Sequence, residues 1–299
     1  MIAFQSVTLK DRALLHPFLL KSVYRNCDFS FANIYCWIHR YNTTYAIRDG
    51  FLFLRFYSGN EVGYMFPLGD GNIKDAIDVI FHDAAESGEK SFLYMSQEMF
   101  KILDGFYPQQ FKFHKNRDWF EYIYTAESLI SLSGKKLQPK RNHINKFKRS
   151  YPAYEYLPIT QEITGDCLDL YECWCKESGG CMGDDSLAAE RLYTQKAFLN
   201  FDELGLMGGA IRVDGKIIAY SFGQPLSVDT FGVHAEKSLY EIEGGFSIIN
   251  QQFAEHVCAK FVYINREEDM GLESLRQSKL SYHPAFLLEK GYVTIPPAH

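Results

Sequence analysis

The stretch NREEDMGLESLRQSKLSYHP, residues 265–284, concentrates residue types that can do chemistry. Glu268 and Asp269 can take a proton from an attacking amine or hydroxyl, or hold a substrate ammonium. Arg276 and Lys279 stand three apart on one face of a predicted helix, where they can hold phosphate or carboxylate. The predicted strand before them ends at Asn265, and ligands commonly bind beyond strand ends in open α/β sheets. Tyr282, His283 and Pro284 close the helix. A plainer reading competes: an acidic helix start that complements the helix dipole, followed by internal salt bridges.

A second chemical feature is GKKLQPKRNHINKFKRSYP, residues 134–152, with seven cations: Lys135, Lys136, Lys140, Arg141, Lys146, Lys148 and Arg149. The chain holds 31 bases and 37 acids, so the other 24 bases face all 37 acids, a balance of −13. Pro139 suits a helix first turn, Ile144, Phe147 and Tyr151 form one apolar stripe, and Pro152 stops the helix. Such a helix can offer phosphate a platform, with Asn142, His143 and Asn145 as hydrogen-bonding groups. A solvated charged face is the competing reading. His234 and Glu236, two apart on a predicted strand, share a face that can point into a cleft. A structural histidine fits that position as well.

The elements around these residues occur twice. AIRDGFLFLRF from Ala46 and AIRVDGKIIAYSF from Ala210 each read as a hairpin with an Asp-Gly turn. Each is followed by a Gly-containing loop, a helical pattern, a lysine leading into a strand (from Lys90 and Lys260) and another helix. This order predicts duplicated mixed α/β units. The division is expected at 1–133 and 134–299, with the two halves packed closely.

With 46% hydrophobic and 16% aromatic residues, the chain can bury sizeable cores. No apolar run approaches a membrane span, and the N-terminus shows no signal peptide, so stable membrane insertion is not expected and a cytoplasmic location is. Seven cysteines fit a reducing compartment, and Cys167, Cys173, Cys175 and Cys181 lack common zinc spacing, so thiols rather than a metal site are expected. No Ser-His-Asp or Cys-His spacing argues for covalent catalysis.

The pattern of Asn265, Glu268, Asp269, Gly271, Leu275, Arg276, Lys279, Tyr282 and Pro284, joined to Lys140, Arg141, Asn142, Ile144, Asn145 and Phe147, resembles the domain family of the C-terminal part of bacterial phosphatidylglycerol lysyltransferases. The resemblance covers nearly the whole chain. It implies two tandem GNAT-type acyltransferase folds, similar to Fem-type aminoacyl transferases, which move an amino acid from aminoacyl-tRNA to an amine or hydroxyl. It implies Asp269, Glu268 and Arg276 as catalytic. Taken with the readings above, the expected substrate-binding residues are Lys140, Arg141, Asn142, Lys146, Tyr220, His234, Glu236, Lys279 and Tyr282. Possible partners are then tRNA and a small-molecule, lipid or peptide acceptor. In acetyl-CoA-dependent GNAT enzymes a Gly-rich loop holds pyrophosphate at a helix N-terminus, and Gly244 and Gly245 match that place here. Glu241 and Glu243 flank them and oppose phosphate, which ranks aminoacyl-tRNA above acetyl-CoA as donor. Two other functions remain open: a non-catalytic module binding RNA or a small charged ligand, and an ordinary acetyl-CoA-dependent N-acetyltransferase.

Overall fold

Both Asp-Gly turns form, with left-handed backbone at Asp49–Gly50 and Asp214–Gly215, as tight hairpins require. The computed structural model describes residues 1–177 and 185–296. The first hairpin is Thr44–Arg48 with Phe51–Ser58, and the second is Met207–Val213 with Lys216–Pro225. Each hairpin leads to a third antiparallel strand, Glu61–Met65 or Thr230–Ser238, then a helix, Ile73–Ser87 or Gly245–Phe253. A strand parallel to the third follows, Ser91–Ser96 or Tyr263–Glu268, and then a helix, Gln97–Phe106 or Glu273–Leu280. The expected repeat is therefore present, and the chain folds as two tandem GNAT-like units with mixed sheets.

Each sheet is completed by a strand from the other half. Glu121–Thr125 lies antiparallel to Tyr263–Glu268 in the second sheet. The C-terminal strand Lys290–Ile295 lies antiparallel to Ser91–Ser96 in the first. Neither 1–133 nor 134–299 contains all the strands of its own sheet, so the halves are interlocked. The expected basic helix runs from Gln138 to Ser150, with Ile144 and Phe147 buried and the intervening cations outward. Among the cysteines singled out, Cys167 and Cys173 are free thiols, Cys175 is disulfide-bonded and so departs from the expected thiol, and Cys181 lies outside the described residues.

Where the exchanged strands begin, a buried ionic cluster ties the halves together. The fully buried ammonium of Lys290 pairs with Asp28 at 2.9 Å, Glu121 at 2.5 Å and Glu268. Burial alone would discharge Lys290, but the three carboxylates outweigh it and raise its pKa. Burial pushes Glu121 up to about 7, with Lys290 opposing. Asp28 is also raised, by burial first.

A second clamp fixes the turn after Glu268. Asp269 is fully buried and accepts from Arg276 at 2.8 and 2.9 Å, Arg117 at 3.0 Å, Tyr122 at 2.5 Å and the Gly271 N–H at 2.9 Å. Burial opposes its charge, but these donors outweigh burial and hold the carboxyl well below the usual range.

Two outcomes follow for stability. Because Glu121 and Asp28 have raised carboxyl pKa values in the fold, the folded state binds more protons than the unfolded chain. Stability therefore falls as pH rises from about 4.5 to about 7, and Glu121→Gln flattens that slope in urea midpoints measured across the window. Asp269→Asn removes the anion of Arg117 and one of the two anions of Arg276, which keeps Asp118, and lowers the unfolding free energy by about 1–3 kcal/mol, less than a fully dry pair because both arginines keep water contact. An unchanged denaturation midpoint would remove the clamp role.

Candidate functional site

In the second sheet the parallel ladder between Thr230–Ser238 and Tyr263–Glu268 holds only at Thr230–Gly232 against Tyr263–Asn265. Beyond it the strands splay, and residues 234–237 are partly exposed although their other edge still pairs with Lys216–Pro225. The opening arises because Tyr263–Glu268 shifts register against Glu121–Thr125 between Asn265 and Glu268. Glu267 takes a left-handed φ of 56° there, uncommon for a residue with a side chain. Three consecutive side chains then reach different partners. Arg266 goes to Glu236 at 2.9 Å, Glu267 to His234 at 2.7 Å, and Glu268 to Lys290. Lys279 holds this kink, donating from Nζ to the carbonyls of Arg266 at 2.6 Å and Glu268. Burial and the neighbouring Arg266 lower Lys279 to about 8.

The wall of the opening joins several of the expected residues. Glu236 accepts from Arg266 Nη2 on one oxygen and from Asn250 Nδ2 on the other, both at 2.9 Å. The Tyr282 ring carries two cations, Lys140 Nζ at 4.1 Å and the Arg266 guanidinium carbon at 4.8 Å from its centroid. Burial and Arg266 lower the pKa of Lys140, with Glu236 partly compensating. Lys140, Glu236 and Tyr282 thus meet around Arg266 and Asn250. Sequence reasoning passed over both of the latter. Arg266 lies within the strand Tyr263–Glu268, which runs past the expected end at Asn265, and Asn250 is a polar residue in the helix Gly245–Phe253.

Behind this wall His234 links two elements. Its Nδ1 meets Glu267, and its Nε2 lies 3.0 Å from Ser30 Oγ. Asn33 donates to the same Glu267 at 2.9 Å and accepts from Tyr193 at 2.7 Å. The order hydroxyl, imidazole, carboxylate matches a nucleophile relay, assembled from residues too far apart in sequence to suggest it. Ser30 is fully buried, and its oxygen also caps the helix Phe31–Cys36 by accepting the Asn33 N–H. The trio joins the first half to the splayed strand.

The other expected site residues have different surroundings. The acceptor positions of Asp269 are filled by the clamp, and Arg276 is shared between Asp269 and Asp118 at 2.6 Å. Glu268 faces Lys290 and the Cys27 thiol, away from the opening. Arg141 donates to the carbonyls of Leu132 and Gly134, fastening the loop before its own helix. Lys146 pairs with Glu243, and Asn142 is exposed. Tyr220 lies in the core, edge-on to Phe198 and stacked on Phe222. Its hydroxyl has no hydrogen-bond partner among the described residues.

The glycine pair has a packing role. Gly244 has φ 83°, and a Cβ there would stand 2.5 Å from the His143 carbonyl of the basic helix. A Cβ on Gly245 would stand 2.1 Å from Ser238 Oγ. The basic helix is therefore packed against the start of Gly245–Phe253, and the Gly245 N–H already bonds the Ile242 carbonyl at 3.0 Å. That leaves the helix start poorly suited to a pyrophosphate.

Comparison with known proteins places this geometry. A conserved protein of unknown function from Bacteroides thetaiotaomicron superposes with TM-score 0.94 and 41% identity, covering 99% of this chain and 100% of that one. The C-terminal domain of a putative lysylphosphatidylglycerol synthetase from Agrobacterium fabrum superposes with TM-score 0.69 at 11% identity, over 96% and 92% of the two chains. An uncharacterized protein of Mycoplasmoides gallisepticum is 26% identical over 179 residues, 58% of this chain and 56% of the relative, so the match spans little more than half of that curated protein. The profile of the family "Phosphatidylglycerol lysyltransferase, C-terminal" matches residues 22–294, and the chain belongs to that family.

Proposed function

We propose that the chain is a transferase that moves an aminoacyl group from aminoacyl-tRNA to an amine or hydroxyl acceptor at the opening between the splayed strands. The observation that carries this reading is a surplus of positive charge in a half-buried place. Lys140 and Arg266 share one tyrosine ring, with Glu236 as the nearest counter-charge. Such a pair is suited to the oxyanion of a tetrahedral intermediate, where low dielectric strengthens the attraction. The acceptor nitrogen or oxygen attacks the donor ester carbonyl. An amide or ester bond forms, the bond to the terminal ribose oxygen breaks, and that oxygen leaves with the proton released by the acceptor. Orientation of both reactants supplies the remainder of the rate.

The donor assignment draws on two further features. The turn at Gly244 that would hold pyrophosphate packs on the His143 carbonyl of the basic helix and is flanked by Glu241 and Glu243, which disfavours acetyl-CoA. The basic segment keeps Lys135, Lys136, Lys148 and Arg149 exposed, a phosphate-binding face beside the opening. Among the described residues no helix is long and apolar enough to cross a membrane. The catalytic roles implied for Glu268, Asp269 and Arg276 pass in this reading to Lys140 and Arg266, because the former are engaged with one another and with Lys290.

Binding of charged tRNA, uncharged tRNA and acetyl-CoA across a salt series tests this. Charged tRNA should bind, with affinity falling in log–log slope by about 0.7–0.9 per phosphate contact. Reversing Lys135, Lys136, Lys148 and Arg149 to glutamate should weaken binding roughly tenfold or more and flatten the slope. Binding of acetyl-CoA alone would overturn the donor assignment. Lys140→Gln should leave tRNA binding within about twofold while lowering kcat by roughly 10²-fold or more in transfer to a found acceptor, as expected for a lost oxyanion contact.

A further inference from the structure

The first half also has a place where its parallel strands part. There the ladder of Glu61–Met65 with Ser91–Ser96 runs from Val62 against Ser91 to Met65 against Tyr94, and the Phe66 N–H adds a bond to the Tyr94 carbonyl at 3.2 Å. Past that point the chain bulges. Tyr64 stands opposite Arg55 and Gly69 opposite Phe51, five residues against four, so one residue is extra. Leu68–Gly69 then pairs with Phe51–Leu52 and not with the parallel strand. A cavity of about 510 Å³ lies at this divergence, the place that corresponds to the splayed strands of the second half. That size suits a small-molecule ligand.

Its chemistry differs from that of the second half. Phe18, Tyr24, Pro67, Leu68, Ile73 and Ile102 supply apolar walls. The helix Ile73–Ser87 starts here, but its first turn is poorly suited to phosphate. The Asn72 side chain caps it, accepting the Lys74 N–H at 3.1 Å, and Asp70 and Asp75 flank it with negative charge. The two charged residues that line the cavity, Lys21 and Asp70, are exposed and opposite in sign. They do not pair with each other, and neither has another ion-pair partner among the described residues. We propose that this cavity binds a short apolar peptide with both ends free, about a dipeptide in size. Its side chains fill the apolar walls, its ammonium meets Asp70 and its carboxylate meets Lys21. A zwitterion answers both charges, whereas a fatty acid or a simple amine answers one. An acyl-CoA would bring its phosphates against Asp70 and Asp75. The first half then has a ligand of its own, whether or not the second half transfers an aminoacyl group.

The test titrates the full chain with leucyl-phenylalanine, its N-acetyl and amide forms, glycylglycine, octanoate and acetyl-CoA, by calorimetry and by protein NMR shifts. Leucyl-phenylalanine should bind and shift the amides of Ser22–Tyr24 and of residues 68–73. Glycylglycine should bind roughly tenfold or more weakly, because it has no apolar side chain to bury. Blocking either end of leucyl-phenylalanine should weaken it about threefold, as expected for exposed charge pairs. D70N should remove the loss caused by acetylation, and K21Q the loss caused by amidation. Both positions are exposed, so neither change disturbs the core. Val23 lines the cavity and is 75% exposed, so V23W should obstruct the mouth and weaken leucyl-phenylalanine roughly tenfold. No binding up to about 10 mM, equal binding of glycylglycine, or binding and shifts unchanged by V23W would overturn the site. Tighter binding of octanoate, or acetyl-CoA shifting the same amides, would overturn the peptide assignment.

Discussion

Lys290 is the charge on which the rest of the architecture turns. An ammonium with no exposure is costly unless paired, and three carboxylates from three places in the chain surround this one. Asp28 precedes the helix Phe31–Cys36, Glu121 starts one exchanged strand, Glu268 ends the splayed strand, and Lys290 starts the other exchanged strand. The cluster pins the crossing point of the two halves. Its specificity comes from the alternatives it excludes, because any other register of Lys290–Ile295 would strand a buried charge.

From that point a polar network runs to the opening. Asn265 joins the Glu121 carboxylate to the Arg25 carbonyl and accepts the Glu267 N–H at 2.7 Å. Glu267 joins His234 and Asn33, and the adjacent Arg266 joins Glu236. The bulge at residues 265–268 makes this possible by aiming successive side chains at separate partners. Strand exchange thus does more than hold the halves together. It sets the backbone path along which the two parallel strands stop pairing after Gly232 and Asn265.

Groups in this molecule divide by whether their hydrogen-bonding capacity is filled. Asp269, Arg276, Glu268 and Lys279 are surrounded by partners, and their chemistry is directed inward. Lys140, Arg266, Glu236 and Asn250 are half or wholly buried yet incompletely matched, with surplus positive charge and an Asn250 Oδ1 that has no partner among the described residues. Burial of unmatched polar groups costs free energy.

The sequence by itself determined the duplication, the two Asp-Gly hairpins, the basic helix with its buried Ile144 and Phe147, and the family. All of these are local patterns or linear motifs, set by turn chemistry, periodicity and residue order. It also named Lys140, Glu236 and Tyr282 without being able to say that they meet. Only the tertiary structure decided which carboxylates are occupied. Asp269 and Glu236 look alike in a sequence. One accepts from two arginines, a tyrosine and a backbone N–H, while the other accepts from Arg266 and Asn250 and stays partly exposed. The strand exchange was equally hidden, since EYIYT at 121–125 and KGYVTI at 290–295 read as ordinary strands with no mark of the sheet they join. Pairing over such separations depends on the summed packing of both halves, and no local pattern encodes that sum.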